Sequence, residues 1–306
     1  MIFHGVIAAL VTPFGDSGEV DERGLRALVD RQIGDGVAGL VSCGTTGEFT
    51  SLTMDERRRV AEVIVEQAAG RVPVLAQTGS TSTATAAQLS QHAEQIGASG
   101  VLLAAPYYGS LSEDEIFGYY ADVAASVSVP VCLYNFPGAT GVTLSVDMML
   151  RLADQVENVR YVKDSSGDMT QLATLLTEHS DKITLLCGEE LLLLPGLFMG
   201  LQGAVLGCSN ILGPGVSRLF ELAKAGETES LVRLHEALVP LMRFIVGSPY
   251  TATVKAALDL HGYPAGAVRK PLAGLDDASV EELRALLGKI DPALLTGSGG
   301  GSSSVA

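Results

Sequence analysis

The sequence predicts an α/β fold, a (β/α)8 TIM barrel with a C-terminal helical extension, and three observations carry that expectation. Eight short apolar runs recur between Gly5 and Leu206, each followed by a helical pattern. The runs are apolar throughout rather than alternating, as strands covered on both faces are. From about Pro214 onward the pattern is helical only. A doubly wound sheet is the competing α/β architecture, but no GxGxxG follows any of the runs. The expected organisation is a barrel over residues 1–212, a helical subdomain packed on it over 213–295, and a flexible Gly/Ser tail over 296–306.

Each element has its own signal. Gly5 to Thr12 (GVIAALVT) is a buried strand stopped by Pro13, which has no N–H for the ladder. Asp21 to Asp35 places Leu25, Leu28, Val29 and Ile33 on one helical face. Ala38 to Cys43 is the second strand; Gly44-Thr45-Thr46-Gly47-Glu48 follows, then a helix opened by the capping box Thr53-x-x-Glu56. Val72 to Gln77 is the third strand, and a helix with a Ser/Thr-rich start runs after it through Ala86, Leu89 and Ala93 to Ile96. Gly100 to Ala104 is the fourth, followed by Pro106-Tyr107-Tyr108-Gly109 and a second capping box, Ser112-x-x-Glu115, whose helix reaches about Val127. Pro130 to Tyr134 is the fifth, with a loop from Asn135 to Gly141 and a helix from Leu144 to Gln155. The sixth runs out at Lys163, and Asp168 is placed to cap a helix from Met169 to His179. Ile183 to Cys187 is the seventh, with Gly188-Glu189-Glu190 opening a helix to Met199. Gly203 to Leu206 is the eighth, followed by Gly207-Cys208-Ser209-Asn210. Four helices complete the chain, Val216–Ala225, Thr228–Val246, Tyr250–Leu260 and Ser279–Leu287, the last opened by a third capping box, Ser279-x-x-Glu282.

Composition narrows the function. Of 306 residues, 47% are apolar, enough for a large core. Twenty Lys and Arg against 35 Asp and Glu leave a net charge of −15, which argues against nucleic-acid and anionic-membrane partners. Cys43, Cys132, Cys187 and Cys208 show no CxxC and no metal spacing, and read as buried free thiols of a reducing cytoplasm. The first residues lack the basic segment and cleavage site of a signal peptide, and no apolar run reaches spanning length unbroken. The five histidines form no metal-ligand set and no GxSxG occurs, so neither a metal, a cofactor nor a serine-hydrolase mechanism is expected.

The chemistry collects at the strand ends. Among six lysines, only Lys163 stands at the C-terminal end of an apolar strand. There the stem lies in the core and the amine points into the barrel mouth, where desolvation favours the neutral, nucleophilic form. A neutral amine attacks a ketone to form a Schiff base, whereas a structural lysine at the same place pairs with a carboxylate. Thr45 and Thr46, flanked by Gly44 and Gly47, offer hydroxyls and free N–H groups suited to a small carboxylate. Tyr134 ends the fifth strand, and a phenol there either fills core or relays a proton.

The ordered set GTTGE (Gly44–Glu48), PYY (Pro106–Tyr108), YNFP (Tyr134–Pro137), VKDSSG (Val162–Gly167) and the glycine spacing at Gly200, Gly203 and Gly207 resembles the dihydrodipicolinate synthase / N-acetylneuraminate lyase family of pyruvate-dependent class I aldolases. The similarity spans about residues 3 to 290. The resemblance implies that Lys163 forms the imine with pyruvate or another 2-oxo acid and that Tyr134 relays protons. It further implies that Thr45 and Thr46 hold the pyruvate carboxylate, and that Gly188 and Val205 line the pocket. Tyr108 corresponds to a tyrosine lent to a neighbouring subunit's site, completing a relay with Thr45 and Tyr134. The family is commonly a homotetramer, a dimer of dimers.

One position departs from members that make the lysine precursor. They carry arginine two residues after the proline of YNxP, where this chain has Ala139. Those members also usually have Glu after the lysine, where Asp164 stands here. The expectation is therefore an aldolase for a 2-keto-3-deoxy sugar acid or 4-hydroxy-2-oxo acid. The alternatives are 4-hydroxy-tetrahydrodipicolinate synthase, an imine-forming 2-oxo-acid dehydratase, or a non-catalytic 2-oxo-acid binder.

Overall fold

Parallel strands β1 (Gly5–Ala9), β2 (Gly39–Ser42), β3 (Val74–Gln77), β4 (Gly100–Ala104), β5 (Val131–Asn135), β6 (Val159–Asp164), β7 (Thr184–Cys187) and β8 (Gly203–Leu206) close into a barrel in sequence order. This is the expected fold, seen in a computed structural model that describes residues 2–297. Every strand residue from β2 to β5 is buried, which is why the runs show no alternation. Within β6 only Arg160 is exposed.

The intervening helices are α1 (Glu22–Gly34), α2 (Met54–Ala68), α3 (Thr83–Gln95), α4 (Glu113–Ala124), α5 (Pro137–Thr140), α6 (Val146–Gln155), α7 (Met169–Glu178) and α8 (Leu193–Phe198). After β8 come α9 (Ser209–Ala225), α10 (Thr228–Gly247), α11 (Tyr250–Leu260) and α12 (Asp277–Leu287). The capping boxes at Thr53/Glu56 and Ser112/Glu115 form in full, and Asp168 accepts from the N–H groups of Thr170 and Gln171. The third box does not form. Asp276 caps α12 by accepting from Ser279 N, so the helix opens two residues before the expected start and Ser279 lies inside it. A carboxylate already three residues upstream satisfies that N–H, leaving the serine no capping task. On α1 the buried face is Leu25, Leu28, Val29 and Gln32, with Ile33 half-buried. The helix expected from Val216 begins at Ser209 and kinks at Leu212, ahead of Pro214.

Two compact units are distinguished along the chain. One comprises the residues up to His4 with Pro73–Val205; the other comprises Gly5–Val72 with the chain from Leu206 onward. In the second, Thr296 is 1% exposed, its hydroxyl donating to Asp35 and its backbone N–H to Ile211 O. The tail expected from residue 296 is therefore anchored at its first residue, while residues 298–306 lie outside the described residues. Among the described residues no helix is long and apolar enough to cross a membrane.

Candidate active site

In a closed parallel barrel the loops after the strands emerge at one end, where such folds carry their chemistry. At the exits of β5 and β6, Tyr134 and Lys163 are register partners. Lys163 is 7% exposed and Tyr134 3%, and the lysine Nζ lies 4.1 Å from the centroid of the tyrosine ring. The ring in turn stacks on Phe136, with centroids 5.8 Å apart and planes at 22°. The lysine amine thus faces an aromatic ring, while the carboxylate of its neighbour Asp164 is engaged by Asn135 and Ser166.

That engagement is a buried amide–carboxylate pair. Asn135 Nδ2 donates to Asp164 Oδ1 at 2.8 Å, and Asn135 Oδ1 accepts from Leu144 N at 2.9 Å. Asp164 also accepts from Ser166 N and from the Ser166 hydroxyl. Sequence reading missed Asn135; the signal available was an amide directly after the apolar strand that ends in Tyr134, and the structure buries it fully, where it demands partners.

β7 is zipped to the same exit. Gly188 N donates to Asp164 O at 2.8 Å, and the Ser165 hydroxyl donates to Gly188 O at 3.1 Å. A Cβ on Gly188 would collide with the Ser165 hydroxyl and stand 2.9 Å from Lys163 Cε and 3.0 Å from Asp164 O, so glycine lets the β7 backbone lie against both the serine and the lysine. Directly after it, burial pushes the Glu189 carboxyl up to about 7, with Glu190 adding to the rise, Lys163 opposing it and Asp164 adding a little more. A carboxyl titrating near neutrality beside a buried amine is a site signature absent from the sequence pattern. Burial drives the Cys132 and Cys187 thiols up to about 12, so both stay protonated and serve as core. Val205, in β8, is buried.

The second unit holds the threonine turn. Gly47 N donates to Gly44 O and Glu48 N to Thr45 O, both at 3.0 Å, and Thr12 Oγ1 donates to Gly47 O at 2.7 Å. Cys43, just before the turn, and Glu48, its last residue, have φ of 53° and 58°, the left-handed region unfavourable to residues with a Cβ. The two threonines differ: Thr46 is buried and Thr45 exposed. At the exit of β8, the Tyr250 phenol oxygen accepts from Gly207 N at 3.0 Å and Cys208 N at 3.1 Å. A Cβ on Gly207 would lie 2.6 Å from that oxygen and 2.8 Å from Thr46 Oγ1, so Gly207 admits both groups. Tyr250 was not among the expected site residues. Tyr108, on the loop between β4 and α4, is 88% exposed. Among the described residues no group of three His, Cys, Asp or Glu side chains is placed to hold a metal.

The fold is that of a (β/α)8 barrel, a class that carries enzymes at its strand exits. The comparisons narrow it. The Dihydrodipicolinate synthetase family model matches residues 2–290. A 4-hydroxy-tetrahydrodipicolinate synthase of Citrifermentans bemidjiense is 41% identical over 288 residues, 94% of this chain and 98% of that protein. The crystal structure of dihydrodipicolinate synthase from Aquifex aeolicus superposes with a TM-score of 0.90 at 32% identity, covering 94% of this chain and 98% of that one. That of YagE, a prophage protein of the dihydrodipicolinic acid synthase family from E. coli K12 in complex with pyruvate, superposes with a TM-score of 0.91 at 32% identity, covering 94% and 99%. The chain belongs to the dihydrodipicolinate synthetase family, and it is a carbon–carbon lyase of that family.

Proposed function

We propose that the chain is a Schiff-base aldolase that joins pyruvate to an aldehyde, with Lys163 as the nucleophile. The observation that carries this reading is the buried Lys163 amine held over the Tyr134 ring at adjoining strand exits. The pyruvate bound by YagE supports the choice of keto acid.

The groups present set the steps. The Lys163 amine adds to the keto carbon of pyruvate, and loss of water leaves an iminium. The iminium withdraws electrons, so a proton leaves the methyl carbon and an enamine forms. The enamine carbon attacks the aldehyde, whose oxygen takes up a proton, and water then hydrolyses the imine to free the amine. Tyr134 supplies and removes protons at the carbinolamine and at the new alcohol. Thr45 and Thr46 hold the pyruvate carboxylate, Gly188 and Val205 wall the site, and Tyr108 from a neighbouring copy joins the relay. The exposure of Tyr108 leaves it accessible for that last role in the homotetramer the family resemblance implies. A reducing cytoplasm suits the four free thiols.

For the aldehyde, the names of the relatives favour aspartate semialdehyde, giving 4-hydroxy-tetrahydrodipicolinate synthase. The sugar-acid reading drawn from Ala139 and Asp164 therefore comes second. One observation keeps the sugar-acid or 4-hydroxy-2-oxo-acid aldolase as a second reading. Ala139 is exposed on α5 where the resemblance expects an arginine, and an alanine cannot clamp a second carboxylate. Borohydride added with pyruvate should fix an adduct on the Lys163 peptide and none in Lys163→Ala; labelling of another lysine overturns the mechanism. Turnover with aspartate semialdehyde, glyceraldehyde and glyoxylate then decides between the two aldehyde classes.

A further inference from the structure

The second unit contains a buried charge cluster that the chemistry above does not use. Lys255 on α11 and Glu48 form an ion pair at 2.7 Å, with the lysine side chain 3% exposed and the glutamate 0%. The lysine also donates to Ala267 O at 3.2 Å and lies 4.1 Å from the Phe14 ring centroid. Arg269 closes the cluster. Its backbone N–H donates to Glu48 Oε2 at 2.8 Å, and its guanidinium lies 4.2 Å over Phe14, donates to Ser51 O and Gly18 O, and pairs with Glu56.

Two features make this more than a buried ion pair. First, Glu48 is the last residue of the Gly44–Glu48 turn and sits in the left-handed region, a conformation that persists only where surroundings over-determine it. Both of its carboxylate oxygens are held from one side of the sequence, by Lys255 and by the backbone of Arg269. Second, the remaining tethers fix the chain just beyond the turn: Arg269 holds Ser51 O and Glu56, the N3 residue of the α2 capping box. The turn that carries Thr45 and Thr46 is therefore set from its C-terminal side by residues of the helical extension.

We propose that Glu48, Lys255 and Arg269 are positioning residues for the keto-acid carboxylate: they hold the strained turn in the conformation that presents Thr45 and Thr46. The proposal rests on the reading that these threonines take the pyruvate carboxylate. A buried pair replaced on both sides leaves no uncompensated charge, so the double variant Glu48→Gln/Lys255→Met separates positioning from bare stability. Glutamine keeps the acceptor for Arg269 N–H.

The test measures half-saturation of the borohydride-trapped pyruvate adduct in wild type and variant, with amide hydrogen exchange on peptides covering residues 43–52. Expected are a rise in half-saturating pyruvate of about tenfold or more with the full-occupancy adduct on Lys163 retained, and faster exchange confined to that turn. A folded double variant within about twofold of wild type in half-saturation overturns the proposal. Should the double variant fail to fold, Arg269→Met keeps the Glu48–Lys255 pair and removes the guanidinium tethers. It should raise half-saturation by about threefold, and an unchanged value overturns the proposal equally. Failure of the aldolase reading looks different: wild type then forms no adduct, while the exchange arm still reports whether the pair holds the turn, and unchanged exchange there counts against it.

Discussion

The Lys163 side-chain nitrogen sits 4.1 Å from the centre of the Tyr134 ring, so the amine meets the tyrosine by its face. Face contact and phenol chemistry are thereby separable. Tyr134→Phe should keep the packing that orients the lysine and still trap pyruvate with borohydride, because the ring remains. Turnover should fall by about 10² to 10⁴, the usual worth of a positioned proton relay. Comparing single-turnover trapping with steady-state rate checks this; equal loss in both would assign the tyrosine to orientation alone.

Gly188→Ala should disturb the β6–β7 exit and, through it, the lysine. The new methyl would collide first with the Ser165 hydroxyl, and it would also meet Lys163 Cε at 2.9 Å and the Asp164 carbonyl, to which Gly188 N is bonded, at 3.0 Å. Pyruvate trapping at Lys163 should drop by about tenfold or more as the amine leaves its rotamer. Mass analysis of the labelled peptide measures it.

Asn135→Ala tests the buried pair beneath the site. Removing the amide leaves Leu144 N without its acceptor and takes one donor from a buried Asp164. The expected cost is about 2–4 kcal/mol, read from denaturant unfolding, and it exceeds the worth of one hydrogen bond because orphaned buried groups carry the full desolvation penalty.

Glu189 predicts the sign of a pH effect. Its carboxyl is raised to about 7 in the fold, chiefly by burial, against an ordinary value of 4.5. Between those two values the folded state holds the proton more tightly than the unfolded state, so this residue's contribution to stability falls as pH rises from about 4.5 to about 7. Glu189→Gln should remove that dependence, gaining most relative to wild type above pH 7 and nothing below pH 4.5. Unfolding free energies across that range check it; parallel curves for the two proteins would remove the perturbed carboxyl.

The barrel was readable because double burial erases alternation: GVLLA of β4 has no polar residue to confuse the period. Lys163 stood out for the same reason, as a lysine closing an apolar strand. Helix starts were less secure where two cap residues compete, as at Asp276 and Ser279. What could not be read were relations made only by folding. Nothing local in Glu48 announces Lys255, and neither threonine of the turn announces that one is buried and the other exposed. The acidity of Glu189 depends on burial that its own sequence neighbourhood does not state. The aldehyde preference was the least legible: Ala139 and Asp164 suggested sugar acids, whereas the relatives found by similarity are named 4-hydroxy-tetrahydrodipicolinate synthase.

The anchoring of Thr296 bears on how this enzyme can be handled. Asp35 is buried, its carboxyl is pushed up by that burial, and it is held in place by the Thr296 hydroxyl and by Gly297 N at 2.8 Å. A gene trimmed to the last helix would strip both donors from the end of α1, far along the sequence from the cut. Fusion partners, affinity handles and surface linkages are therefore best joined beyond Gly297, where they leave this latch closed.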